Sequence, residues 1–201
     1  MRVGLFGGSF NPAHEGHAHV AETARRRLKL DRVIWLVSPQ NPLKSNHETA
    51  DLAERMAGAR AHARGPGMIV SDLERRLGSA YTIDTVRALQ AARPGAQWFL
   101  VIGQDQYAGF DTWQGWQELL ARTTLAIAAR PDAGTAVDPQ LRAAAHAAVV
   151  LPMMDVSSTE IRRRVFSGLG ITDLVPPAVA SYIARHHLYQ DPPQGDPAHG
   201  S

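Results

Sequence analysis

The sequence predicts an α/β fold, a Rossmann-like parallel sheet with helices on both faces, and three observations carry that reading. Short apolar runs alternate with longer helix-period segments, a glycine-rich turn follows the first run, and 44% hydrophobic composition over 201 residues supplies one sizeable core. Parallel strands need crossover connections, which the alternating segments provide.

Strands are expected over residues 3–6, 33–37, 68–70, 98–102, 125–128 and 149–151, each a short apolar, β-branched-rich run. Helices are expected over 17–30, 49–63, 82–92, 113–122, 140–147, 158–166 and 177–187, from spacing near 3.6. The expected domain is 1–189. The tail at 190–201 is rich in proline, glycine and polar residues and is expected to be disordered.

Bulk charge excludes several functions. Lys and Arg number 21 and Asp and Glu 19, so the net charge of +2 carries no basic stripe and argues against a nucleic-acid partner. With no cysteine, zinc-thiolate sites, disulfides and thiol nucleophiles are absent. The opening Met1-Arg2-Val3-Gly4-Leu5-Phe6 runs straight into the glycine turn without the pattern of a signal peptide. No run approaches the ~20 apolar residues that span a bilayer, so no membrane partner and a cytoplasmic location are expected.

In open parallel sheets, ligands gather at the carboxyl ends of the strands. After the first strand come Gly7, Gly8, Ser9, Phe10, Asn11, Pro12, Ala13, His14, Glu15, Gly16 and His17, then a helix. Paired glycines allow close approach of an anion, and a helix N-terminus offers free N–H groups and partial positive charge. Alone, His14 and His17 read more readily as solvated turn residues; their place after the first strand reverses that balance and favours a phosphate site. The turn is neither G-x-G-x-x-G nor G-x-x-x-x-G-K-[ST], which disfavours a dinucleotide-dependent dehydrogenase and a P-loop ATPase. Two histidines at i, i+3 without H-E-x-x-H also make a poor zinc hydrolase.

Near the other end, Ser157, Ser158 and Thr159 open a helix with Arg162 one turn on. Ser157 and Glu160 have the spacing of a capping box, so a purely structural role is the plain alternative. Hydroxyls, helix N–H groups and a guanidinium together also form a second anion site, and two such helix starts suit a triphosphate between them. Asp105, after the fourth strand, is placed to accept ribose hydroxyls or hold a metal ion. Trp116, Leu119 and Leu120 read as core, whereas Trp113, expected in the first helical turn, is placed either to pack there or to face an aromatic ligand.

The first of these motifs, Gly7-Gly8-Ser9-Phe10-Asn11-Pro12 with His14-x-Gly16-His17, and the second, Ser157-Ser158-Thr159-x-Ile161-Arg162, together resemble the H-x-G-H nucleotidyltransferase superfamily. Within it, the chain is most similar to bacterial nicotinate-nucleotide adenylyltransferases, over nearly all of 1–189. Pro39 to Lys44, Asp72 to Arg75, Ser79 to Thr85, Gly103-x-Asp105, Trp113 and the ending from Val179 through Tyr182 to Tyr189 support the likeness. Asn11 stands where many relatives carry Asp, and Leu43 precedes Lys44 where His is common.

The resemblance implies a nucleotidyltransferase-type fold and transfer of the adenylyl group of ATP to nicotinate mononucleotide, giving nicotinate adenine dinucleotide and pyrophosphate in NAD biosynthesis. It implies that Gly7, Gly8, Ser9, Phe10, His14, His17, Ser157, Ser158, Thr159 and Arg162 meet ATP, with His14, His17 and Arg162 catalytic. Asn41, Lys44, Tyr81, Thr82, Asp105 and Trp113 then belong to the acceptor, no protein-held metal is expected, and Mg2+ arrives chiefly on the ATP phosphates. The alternatives are a pantetheine-phosphate adenylyltransferase-like enzyme, which shares both phosphate motifs but not the 81–85 segment, and a non-catalytic nucleotide-binding module.

Overall fold

The computed structural model describes residues 1–39, 50–129, 148–152, 154 and 156–190. Six parallel strands form one sheet: β1 (Arg2–Gly8), β2 (Arg32–Val37), β3 (Met68–Ser71), β4 (Gln97–Gly103), β5 (Thr124–Ala129) and β6 (Ala148–Pro152), in the order β3-β2-β1-β4-β5-β6. The chain starts at the centre, winds outward through β2 and β3, then returns to β4 on the other side of β1. That reversal leaves a crevice at the carboxyl ends of β1 and β4, the place where such sheets bind ligands.

The central strands are continuous apolar runs because both faces are covered. Alternate residues of β4 show the two faces. Phe99 and Val101 pack with Phe6 and Trp35 under α1 (Glu15–Arg27) and α2 (Leu52–His62), while Trp98, Leu100 and Ile102 pack under α4 (Thr82–Ala92) and α6 (Trp116–Arg122). A third cluster joins Ile161 of α7 (Ser158–Phe166) to Val179 and Ile183 of α8 (Pro177–Arg185), with Ile171, Val175, Tyr189 and Ala50.

All six expected strands are present, and α4 and α7 keep their expected bounds. Three short elements are additional among the described residues: α3 (Leu73–Leu77), α5 (Gln104–Ala108) and a 3-10 turn at Phe110–Thr112. One expectation needs correction. The helix anticipated from Trp113 begins at Trp116, because Gly115 enters it at φ 69 and Trp113 closes the 3-10 turn in extended backbone. A side chain at Gly115 would also crowd Ile83, at 3.1 Å from its Cγ1. The helix expected at 140–147 and the tail from 191 lie outside the described residues.

Candidate active site

The loop after β1 crosses the crevice and is braced from three directions. Arg55 of α2, itself buried, donates from Nη1 to the carbonyls of Ser9 and Ser38, each at 2.8 Å, and the Ser38 amide donates to the Gly8 carbonyl at 3.0 Å. Asn11 is buried, and its Oδ1 accepts from the Ala50 amide at 3.1 Å and the Tyr189 hydroxyl at 2.7 Å. The third brace comes from the second motif. Ser158 donates its hydroxyl to the Pro12 carbonyl and Arg162 donates Nη1 to the Asn11 carbonyl, both at 2.9 Å.

Gly16 explains the glycine between the histidines. A Cβ there would lie 2.6 Å from Val156 Cγ1 and 3.0 Å from the His14 ring, so any side chain would push the second motif off the start of α1. The two motifs, 140 residues apart in sequence, meet at this point.

His14 is the N-cap of α1, and its amide donates to Nδ1 of His17 at 3.2 Å. With Nδ1 accepting, a neutral His17 carries its proton on Nε2 as a donor. The two rings lie 3.7 Å apart between centroids, and His17 meets the edge or face of Phe10 at 5.0 Å. Burial first, and the neighbouring His62 second, push His14 down to about 3. Burial, then His14 and His62, hold His17 well below its usual value. Both are therefore neutral hydrogen-bonding groups in the free protein, and positive charge beside the loop comes from arginines such as Arg162 and Arg55. Phe10 is 1% exposed, packed on Phe6 and Trp35, so a ligand can meet only its backbone.

At α7 the expected capping box is half formed. The Glu160 amide donates to Ser157 Oγ at 3.2 Å, but the Glu160 carboxylate turns instead to Arg163 and Arg164. Two guanidiniums outcompete one backbone N–H for that carboxylate. Thr159 Oγ1 accepts from Arg162 at 3.2 Å, which aims the guanidinium along the helix start.

A cleft of about 210 Å³ opens in the crevice and gathers Gly7, Gly8 and Ser9 with Tyr81, Thr82 and Trp113. Tyr81 is the N-cap of α4, no side chain caps that end, and Thr82 is its first helical residue. Thr82 therefore does not cap the helix, and the end is open to an anion. Trp113 packs one side on Phe110, at 5.1 Å between ring centroids, while lining the cleft. Asp105 is exposed in the first turn of α5 and is not among the cleft-lining residues, whereas Gln106 lines the cleft, its Oε1 accepting from the Gly103 amide at 3.0 Å. Ser38, Glu74 and Gln114 also line it; Glu74 lies in the Asp72 to Arg75 segment of the resemblance without an assigned role, and no motif marks the other two. Asn41 and Lys44 lie outside the described residues. A separate cavity of about 230 Å³ lies between α2 and α8, behind the loop, with mainly apolar walls.

Residues 5–164 match the family model described as cytidylyltransferase-like, and with the parallel-sheet fold this match defines the chain as a nucleotidyltransferase. A protein of Caulobacter sp. (strain K31) named "Probable nicotinate-nucleotide adenylyltransferase" is 62% identical over 73% of this chain and 79% of its own length. A protein of the same name from Methylibium petroleiphilum is 44% identical over 98% of this chain and 96% of its own. The chain belongs to the nicotinate-nucleotide adenylyltransferase family. The fold is shared with the nicotinic acid mononucleotide adenylyltransferase of Plasmodium falciparum, solved in complex with NaAD, at TM-score 0.76 and 17% identity over 94% of this chain and 97% of that one.

Proposed function

We propose that the chain transfers the adenylyl group of ATP to nicotinate mononucleotide, releasing pyrophosphate and forming nicotinate adenine dinucleotide, at the cleft between β1 and β4. The observation that carries this reading is that one cleft joins Gly7–Ser9 of the phosphate loop to the uncapped start of α4 and to Trp113. ATP occupies the loop side, with its phosphates between the starts of α1 and α7. The pyridine ring of the acceptor lies against Trp113 and its carboxylate against the start of α4.

The acceptor's phosphate is already ionised near neutral pH, so no general base is needed. Its oxygen attacks the α-phosphorus in line, the bond from that phosphorus to the bridging oxygen of the β-phosphate breaks, and pyrophosphate leaves. His17 donates from Nε2 and Arg162 from its guanidinium to phosphate oxygens as their charge redistributes. His14, through its amide, keeps the His17 ring turned so that Nε2 is the free donor. Among the described residues no group of three His, Cys, Asp or Glu is gathered to hold a metal. With no such cluster of carboxylates among those residues, Mg2+ would ride mainly on the oxygens of the triphosphate and water, drawing charge from the leaving pyrophosphate. We place the reaction in the cytoplasm, where ATP is available; among the described residues no helix is long and apolar enough to cross a membrane.

The test is direct. Purified protein given ATP, Mg2+ and nicotinate mononucleotide should release pyrophosphate and the dinucleotide in equal amounts. Pyrophosphate release that does not depend on the acceptor would contradict the proposal.

A further inference from the structure

The acceptor half of the cleft contains a carboxyl group that the reaction above does not use. Glu74 of α3 is 6% exposed and lines the same cleft as Tyr81, Thr82 and Trp113. Its neighbours in sequence are occupied elsewhere: Arg75 and Arg76 both pair with Asp72. On α4, which packs against α3, Asp84 bonds to the Ser79 hydroxyl and to Arg87, and Arg87 pairs with Glu118. The remaining titratable groups on the packed elements are the Tyr81 phenol and Arg32, the latter at the exposed beginning of β2.

Among the described residues the Glu74 carboxyl has no hydrogen bond and no ion pair, and the described cleft wall contains no cation. A carboxylate there would be desolvated without compensation, which favours the protonated acid. Burial alone raises this carboxyl to about 7. A neutral carboxyl is a hydrogen-bond donor, and the acceptor proposed for this cleft carries a carboxylate.

We propose that Glu74 is a specificity residue of the acceptor site: protonated, it donates its O–H to the carboxylate of the acid-form acceptor, and ionised, it repels that acceptor. The inference rests on the adenylyl-transfer reading above. The two states of Glu74 sort acceptors differently. A carboxylate ligand is welcome only to the protonated enzyme, whereas an amide can accept from the protonated group through its carbonyl or donate to the ionised one through its NH2. Acid-over-amide preference therefore falls as pH rises through the Glu74 titration.

The experiment measures kcat/KM for nicotinate mononucleotide and its amide counterpart across pH, at saturating ATP, in the wild type and in Glu74→Gln. Titrations common to both acceptors, including the acceptor phosphate and the histidines, cancel in the ratio. If only protonated enzyme takes the acid, the protonated fraction sets the efficiency, and the wild-type ratio should fall about tenfold between about pH 6 and about pH 8. In Glu74→Gln, which cannot titrate, the ratio should stay level. A level ratio in the wild type overturns the proposal even if the variant does not fold, and so does a folded Glu74→Gln that keeps the fall. Failure to form dinucleotide from either acceptor at any pH would instead overturn the adenylyl-transfer reading itself.

Discussion

The loop proposed to hold the triphosphate is cross-braced, with Ser158 and Arg162 of the second motif bonded to the carbonyls of Pro12 and Asn11, and Arg55 and Tyr189 fastening the same loop from behind. On the acceptor side of the cleft, α4 starts without a capping side chain, Tyr81 is 42% exposed, and Glu74 is buried with no partner for its carboxyl among the described residues. The contrast fits the roles proposed for the two halves. Donors that stabilise redistributing charge work best when already fixed, because they then cost no reorganisation during the reaction. A site that selects among acceptors gains by leaving groups unsatisfied, since only the right ligand can satisfy them.

Changes on the braced side should damage turnover most. His17→Ala is expected to lower kcat by about 100-fold or more with the fold intact, from loss of one oriented donor. A folded variant with near-normal kcat would remove His17 from the chemistry. Arg162→Ala should lower kcat/KM for ATP by about 10- to 100-fold, as a charge-assisted phosphate partner is lost.

Ser157→Ala sharpens this comparison. Ser157 caps α7 through the Glu160 amide, so its loss should cost about 1 kcal/mol of stability in denaturant melts while kcat moves far less than in Arg162→Ala. Equal kinetic damage from the two variants would erase the distinction between binding group and scaffold. On the open side the expected effect is smaller and one-sided. Trp113→Ala should raise KM for the acceptor by about tenfold while leaving KM for ATP within about twofold, given the modest worth of aromatic contacts. Unchanged acceptor kinetics would return Trp113 to the packing of Phe110.

The same contrast governs what could be read from the sequence. The six strands were legible because strands buried on both faces must be apolar throughout. The sequence announces the braced side because its residues fall into two compact motifs, and the structure adds only what joins them, such as Val156 seated against Gly16. The open side is drawn from β2, β4, α3, α4, α5 and the turn before α6, one or two residues from each. Five-residue helices such as α3 and α5 are too short to carry a periodic signal. Glu74 belongs to the Asp72 to Arg75 segment that supports the likeness, but its charged neighbours Asp72, Arg75 and Arg76 give no sign that the fold buries it. Position after β4 speaks only weakly for Asp105, whose acceptor role rests on the resemblance, and the cleft wall itself carries its neighbour Gln106.

The proposed division of labour gives the braced half a general adenylyl-transfer chemistry and the open half the choice of an acid-form acceptor. It is tested most directly by kcat/KM for nicotinate mononucleotide, its amide counterpart and a pantetheine phosphate, each at saturating ATP and at or slightly below neutral pH. The amide keeps one acceptor oxygen but turns an N–H donor toward the N–H groups of α4, a loss of about 3 to 4 kcal/mol, so the acid form should win by roughly 100- to 1,000-fold. A ratio near one, or a preference for either of the other acceptors, would contradict the account.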